Sequence, residues 1–301
     1  GKKEGSAPFN HPVMFMSTVS HFGSMVIDVN GTSLSAKFLN DVGTIVDHFD
    51  IVKAASKVRL DLKMMLEGPY DPGNGLMRDD LRAASLIPLT QPYSTFFTHV
   101  GEGGTETIQP SVLTVTGSNA IVDWVFVELR DKSNPALVIN TRSALLQRDG
   151  DVVDLDGTSV LRVTVPIGSY HVAVRHRNHL GCMTNSPVAL NRVAAMVDLR
   201  NPLSNVWGSG ALRQFGNTML LWNGNTVADH DLRYVGSGND RDPILVRVGG
   251  TEPNNTAIGY FPEDVNMDGS IRYIGTNNDR DPILVNIGSV DPNNTRVEQL
   301  P

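Results

Sequence analysis

The stretch Asp264-Val-Asn266-Met-Asp268-Gly269-Ser270 places oxygen-bearing side chains at every second position and closes on a glycine. Every second side chain of such a tight loop points inward, so Asp264, Asn266, Asp268 and Ser270 can converge on one point. A hard cation such as calcium needs six or more oxygens from a short arc, and glycine in sixth place permits the sharp turn. The twelfth place, where a carboxylate belongs, is Gly275. The missing acid must then come from further on, from Asp279 or Asp281, and Asp279 is the expected ligand. Asp281 precedes Pro282 and a short apolar run ending at Gly288, the order of helix N-cap, first-turn proline and C-terminal glycine. These residues predict Ca2+ as cofactor in a loop feeding one short helix. The competing reading makes them Asx turns that close hairpins.

The loop belongs to a duplication. With Tyr234 aligned on Tyr273, Asn239–Val246 and Asn278–Val285 are identical, and Pro253-Asn-Asn-Thr256 matches Pro292-Asn-Asn-Thr295. The first copy is worn: Asn225, Val227 and Asp229 hold the loop positions, His230 replaces the glycine, and Asp240 matches Asp279. Valine cannot ligate, so Asn225, Asp229 and Asp240 form the weaker candidate site. Other residues invite chemistry less. His176-Arg-Asn-His179 offers two imidazoles, but zinc needs a third ligand, so a polar strand end pairing with a nearby Asp is expected. Asp149–Gly157 reads as a hairpin with Asp-Gly turns, Gly101-Glu-Gly-Gly104 lacks the Lys-Ser/Thr of a phosphate loop, and Glu67 and Asp71 have no partner carboxylate. Cys182 is expected to be packed. Nothing in the residue pattern argues for catalysis.

The elements that must position these groups read as mainly β. At 301 residues the chain has room for two or three domains, and 40% apolar with 19% charged residues describes a globular protein. A net charge of -7 without a basic block excludes a phosphate-backbone partner, so no nucleic acid is expected. No apolar run is long enough for a transmembrane segment. One cysteine allows no intrachain disulfide, but exported proteins can use calcium as a staple instead. The opening Gly1-Lys-Lys-Glu-Gly5 reads as a cut point and Glu298–Pro301 as a native C-terminus.

Residues 1–53 predict strands over 24–29, 34–39 and 44–53, the first two joined by the Asn30-Gly31 turn. Residues 58–200 predict an antiparallel β-sandwich, with strands at 58–63, 120–129, 136–141, 145–148, 159–165 and 169–176. Trp124, Phe126 and Val122 fall on one face as core. Residues 201–221 read as a linker, and 222–301 as the repeat.

Three stretches carry resemblances. Gly1–Gly5, His11-Pro-Val-Met14, Phe22-Gly-Ser-Met25 and Phe49–Lys53 resemble the C-terminal edge of a calcineurin-like metallophosphoesterase domain. None of that family's metal-binding motifs occurs here, so the resemblance carries no phosphatase activity over. Met65–Tyr70, Leu76-Met77, Pro92-Tyr93, Val122–Val125, Ala144–Gly150 and Arg175–Leu180 are similar to a module of large secreted or surface proteins of Bacteroidetes-type bacteria. The tail resembles the dockerin-like, EF-hand-type repeats that close many of the same proteins. Together they imply export and extracellular or cell-surface residence, with no one shared activity.

The expected function is a non-catalytic structural and interaction region, calcium-stabilised at its C-terminus, that serves display, adhesion or assembly. Its partner would be a protein or cell surface, or other copies of the chain. One alternative is a fragment of a secreted metallophosphoesterase without its metal site. Another is a filament-type subunit joined by strand addition, because residues 1–53 look like strands with open edges.

Overall fold

The computed structural model describes residues 22–30, 33–52 and 57–301. The stretches Gly1–Gly5 and His11–Met14, Gly31 of the predicted turn, and Lys53 lie outside them. The chain divides into two compact units, residues 1–55 and 56–301.

The first unit is a three-stranded antiparallel sheet of β1 (Gly23–Asn30), β2 (Ser33–Asn40) and β3 (Ile45–Val52), in that order. The register sets Met25, Ile27 and Val29 opposite Phe38, Ala36 and Leu34, and sets Ala36 and Leu34 opposite Phe49 and Ile51. Side chains alternate along a strand, so these residues share one face. Ala36 is buried, whereas Met25, Ile27, Val29, Phe49 and Ile51 are exposed.

The second unit is built round a nine-stranded sheet. Its main path runs β10 (Leu161–Thr164), β4 (Lys57–Lys63), β9 (Asp151–Val153), β8 (Val138–Gln147), β7 (Ile121–Asp131), β11 (Gly168–His176), β12 (His179–Met183). β13 (Val188–Leu190) adds to β11, and β14 (Ala195–Asp198) adds to β4 in the sheet's one parallel pairing. β13 touches β14, so the sheet curls round its core, whose centre is Leu60, Leu62, Trp124, Phe126, Leu145 and Val174. The chain is thus mainly β and antiparallel. Val138–Gln147 is one strand across the break predicted between 141 and 145, because the polar Arg142 stays in it by pairing with Asp154 at 2.8 Å.

Between β4 and β7 lie a short hairpin, β5 (Tyr70–Asp71) with β6 (Leu76–Met77), and the one-turn helix α1 (Asp80–Ala83). The segment 201–221, read as a linker, carries the hairpin β15 (Leu212–Phe215) and β16 (Thr218–Leu221). Leu212, Leu220 and Leu221 join the same core as Leu60. Burial of these leucines ties the tail to the sheet and makes residues 56–301 one unit.

The duplicated tail alternates short strands and helices: β17 (Asp231–Arg233), α2 (Arg241–Arg247), β18 (Thr256–Ile258), β19 (Ser270–Arg272), α3 (Arg280–Asn286), β20 (Thr295–Val297). The two copies interlock. β17 of the first pairs with β20 of the second, and β18 of the first pairs with β19 of the second. The registers are equivalent, since Leu232 faces Arg296 as Ile271 faces Ala257. Helix α2 packs on β19 and α3 on β17, so each copy completes the other's core. The α3 N-cap is Asp279 rather than Asp281, which falls in the first turn. There its own N–H donates to Asn278 Oδ1 at 2.9 Å. Gly288 follows the helix in the left-handed region, at φ 116°, as its sequence position predicts. Among the described residues no helix is long and apolar enough to cross a membrane.

Candidate functional site

The second loop is shaped by its own acids. Asp264 accepts N–H groups from Asp268 (3.1 Å) and Gly269 (2.9 Å), and Asn266 Oδ1 accepts Asp268 N–H at 2.9 Å. Asp268 accepts Ser270 N–H at 2.8 Å and pairs with Arg272 at 3.0 Å. Gly269 adopts φ 83°, and a Cβ there would stand 2.9 Å from Leu86, so the sixth-place glycine answers both to the turn and to a close neighbour.

Asp279 does not cap α3 with its side chain. It reaches back to the loop instead, accepting N–H groups from Val265 (2.8 Å) and Asn266 (3.2 Å) on one oxygen and Arg272 (2.8 Å) on the other. Asp264, Asn266, Asp268 and Asp279 are therefore brought together, and Ser270 joins through its backbone N–H.

The first loop repeats the arrangement without the oxygen at Val227. Asp240 accepts N–H groups from Thr226 (2.9 Å), Val227 (3.4 Å) and Arg233 (2.8 Å), while Asn225 accepts Asp229 N–H at 3.1 Å. Asp231, overlooked from sequence, occupies the place of Ser270, and one of its oxygens is buried without a hydrogen-bond partner. The offset between the two copies was the signal that could have found it.

Asp240, Asp264 and Asp279 are all fully buried. Burial is the main cause that pushes the Asp279 carboxyl up to about 8, with added repulsion from Asp264 and Asp268. Burial likewise pushes Asp264 to about 6, against Arg177, and Asp240 to about 7. Among the described residues no three His, Cys, Asp or Glu side chains form a ready metal-holding group. The donor chemistry of the second loop nonetheless fits a hard cation. An ionised carboxylate has about four lone-pair sites and the N–H contacts use only some of them. A cavity of about 530 Å³ bordered by Glu67, Arg213, Asn223, Asn278 and Val285 reaches the loop at Asn266 and at none of the other candidate ligands. The first loop, with Val227, fits less well.

Side chains of the body of the second unit, with Asn223 at the start of the first copy, grip the second loop. Asn178 Nδ2 donates to the Asp264 carbonyl (2.7 Å), Asn223 Nδ2 to that of Val265 (3.2 Å) and Arg78 Nη2 to that of Asn266 (2.7 Å). A Cβ on Gly68 would lie 2.4 Å from the Val265 oxygen, so only glycine admits the loop at this distance. Met267, held at φ 59°, is buried in the core of the sheet.

Behind the grip lies a sealed polar cluster. Asp123 accepts from Arg177 Nε (3.1 Å), Tyr260 Oη (2.6 Å) and His176 Nε2 (3.2 Å). His176 and His179 meet through their Nδ1 atoms at 3.0 Å, and Gly68 N–H donates to His179 Nε2 at 3.2 Å. Asp123 and His176 both sit at register shifts, of β7–β8 and β11–β12, which aim their side chains inward. Burial works to raise the Asp123 carboxyl, but Arg177 and His176 overcome it and hold it below its ordinary range. Burial lowers both imidazoles, His179 well below its usual value. Arg177 also donates to the Phe261 carbonyl, so the cluster fixes the segment leading into the second loop. Glu67 is spent in a pair with Arg213 and on Asn286 Nδ2 at 2.8 Å. Cys182 is buried, which pushes its thiol up.

Comparison with known protein families, curated proteins and solved structures returns no match.

Proposed function

We propose that this chain is a non-catalytic structural and interaction region of an exported protein, which binds calcium at its second loop and serves display, adhesion or assembly. The observation that carries the reading is the union of the Asp264–Ser270 loop and Asp279 at the junction of tail and body. A cation there would neutralise buried carboxylates and strengthen that junction in the same act. Calcium is abundant outside cells, so weak loops of this kind are filled there. With Cys182 as the lone cysteine, no intrachain disulfide competes for the role of staple.

The residues best suited to acid–base chemistry, Asp123, His176 and His179, are fully buried and spend their bonds on structure. No turnover of a chromogenic phosphate ester by the 301-residue chain is expected. The exposed apolar face of β1–β3 supports an interaction role, because contiguous apolar patches mark contact surfaces.

The test is a thermal melt in chelator and then in rising calcium. A ligand bound only by the folded state, at about 100-fold excess over its Kd, stabilises by about 2.7 kcal/mol. The midpoint should climb, and Asp268→Ala should abolish the climb. A midpoint indifferent to calcium returns Asp264–Ser270 to the role of turn residues.

A further inference from the structure

We propose, resting on the calcium reading of the second loop, that its cation affinity is set from outside that loop. Arg78, Asn178 and Asn223 act as positioning residues, and Met267 is the knob that seats the loop in the body. Three consecutive carbonyls, those of Asp264, Val265 and Asn266, each accept a side-chain hydrogen bond from outside the loop. These carbonyls belong to the stretch that begins the row of oxygen donors. Fixing its peptide planes fixes where Asp264 and Asn266 aim. Gly68 leaves the gap into which the Val265 carbonyl fits. Met267 follows at once and is buried in the sheet's core cluster.

The first loop is a control built into the chain. Ala228 holds the place of Met267 with the same left-handed backbone, φ 54° against 59°, but has no side chain long enough to act as a knob. Among the described residues no side chain from outside the repeat donates to the carbonyls of Asn225, Thr226 or Val227. The duplicated sequence therefore supplies two similar loops. Among the described residues the body holds the head of the first only through the Asn178 carbonyl, which accepts the N–H groups of Gly224 (2.9 Å) and Asn225 (3.1 Å), whereas the carbonyls of the second are held by side chains. Groups that orient metal ligands without touching the metal commonly govern affinity by 10–100-fold. By linkage, a cation held in the second loop tightens the seating of the tail on the body.

The experiment is calcium titration calorimetry on the full chain and on two variants that leave every candidate ligand in place. Met267→Ala removes the knob and no charge. Arg78→Met removes a donor and a positive charge from the neighbourhood. Coulomb's law alone makes calcium bind tighter to Arg78→Met, whereas loss of positioning makes it bind weaker, so the sign separates the two effects. Both variants should bind calcium about tenfold or more weakly than the parent while still melting cooperatively in chelator. Arg78 is 40% exposed, so this variant keeps the test available if Met267→Ala fails to fold. Parent-like affinity in the variants, or tighter binding by Arg78→Met, overturns the positioning role and leaves the calcium reading standing. A parent chain that takes up no calcium overturns both.

Discussion

Asp279 and Asp240 each serve three backbone N–H groups while sealed from solvent, so their charge costs the fold desolvation that no cation among the described residues removes. Their folded-state carboxyls, with that of Asp264, titrate above the unfolded value. The stability this contributes is complete below the unfolded value and is lost as pH rises through about 6 to 8. In chelator the melting midpoint should therefore rise as pH falls from about 8 to 6.5. Saturating calcium should flatten that rise by holding the second-loop carboxylates ionised; an equal rise with and without calcium would contradict cation binding there. Asp123 answers to a different balance. Asp123→Asn leaves the Arg177 guanidinium buried without its counter-charge, and removing one partner of a buried pair costs about 3–5 kcal/mol. Denaturant unfolding should show a loss of that order, and a change below about 1 kcal/mol would mean the cluster holds the loop little.

Among the elements, the exchange of strands between the two copies decides how the tail fails. β17 has its ladder partner in β20 near the end of the chain, and β18 has its partner in β19. Each three-residue strand is too short to hold alone. Cutting the chain after Asn294 should therefore expose the amide of Leu232, about sixty residues upstream, to hydrogen exchange, while those of Asp231 and Arg233 keep their bonds to Asp229 and Asp240. If the two copies were independent beads, protection would fall only in the second copy. Glu298 reinforces the closure, accepting Gly181 N–H at 2.7 Å and pairing with Arg175 at 3.2 Å. The last residues thus act as a strap from tail to sheet.

For the whole molecule, the open question of partners sits on the first unit. A three-stranded sheet needs its hydrophobic face covered to be stable, and Met25, Ile27, Val29, Phe49 and Ile51 leave that face open. Among the described residues no further strand pairs with the outer edge of β1 or of β3. Light scattering over a concentration series should show mass growing with concentration, and Ile27→Asp should return it to that of one chain. A strict monomer at high concentration would overturn self-assembly and direct the search to a different protein partner.

Periodicity and punctuation determined the β class, the first three strands, the duplication, and the glycine-ended helices. Alternation, Asn-Gly and Asp-Gly turns, and identity at a fixed offset are local signals that need no neighbour to be read. The need for an acid beyond Gly275 was legible, because the count of oxygens ran short there, but the preference for Asp279 rested on a helix cap at Asp281 that the structure places at Asp279 itself. Local signals misplaced the helix cap and the linker, where the competing contacts come from distant residues. Leu212, Leu220 and Leu221 look like loop residues in sequence and become core only against β4 and its neighbours. The pairing of Asp123 with Arg177 and Tyr260, and the grip of Arg78, Asn178 and Asn223 on one loop of two, had no trace in spacing. Tertiary structure alone decided them, since hydrogen bonds between residues separated by as many as 188 positions depend on how the sheet curls and where the tail comes to rest.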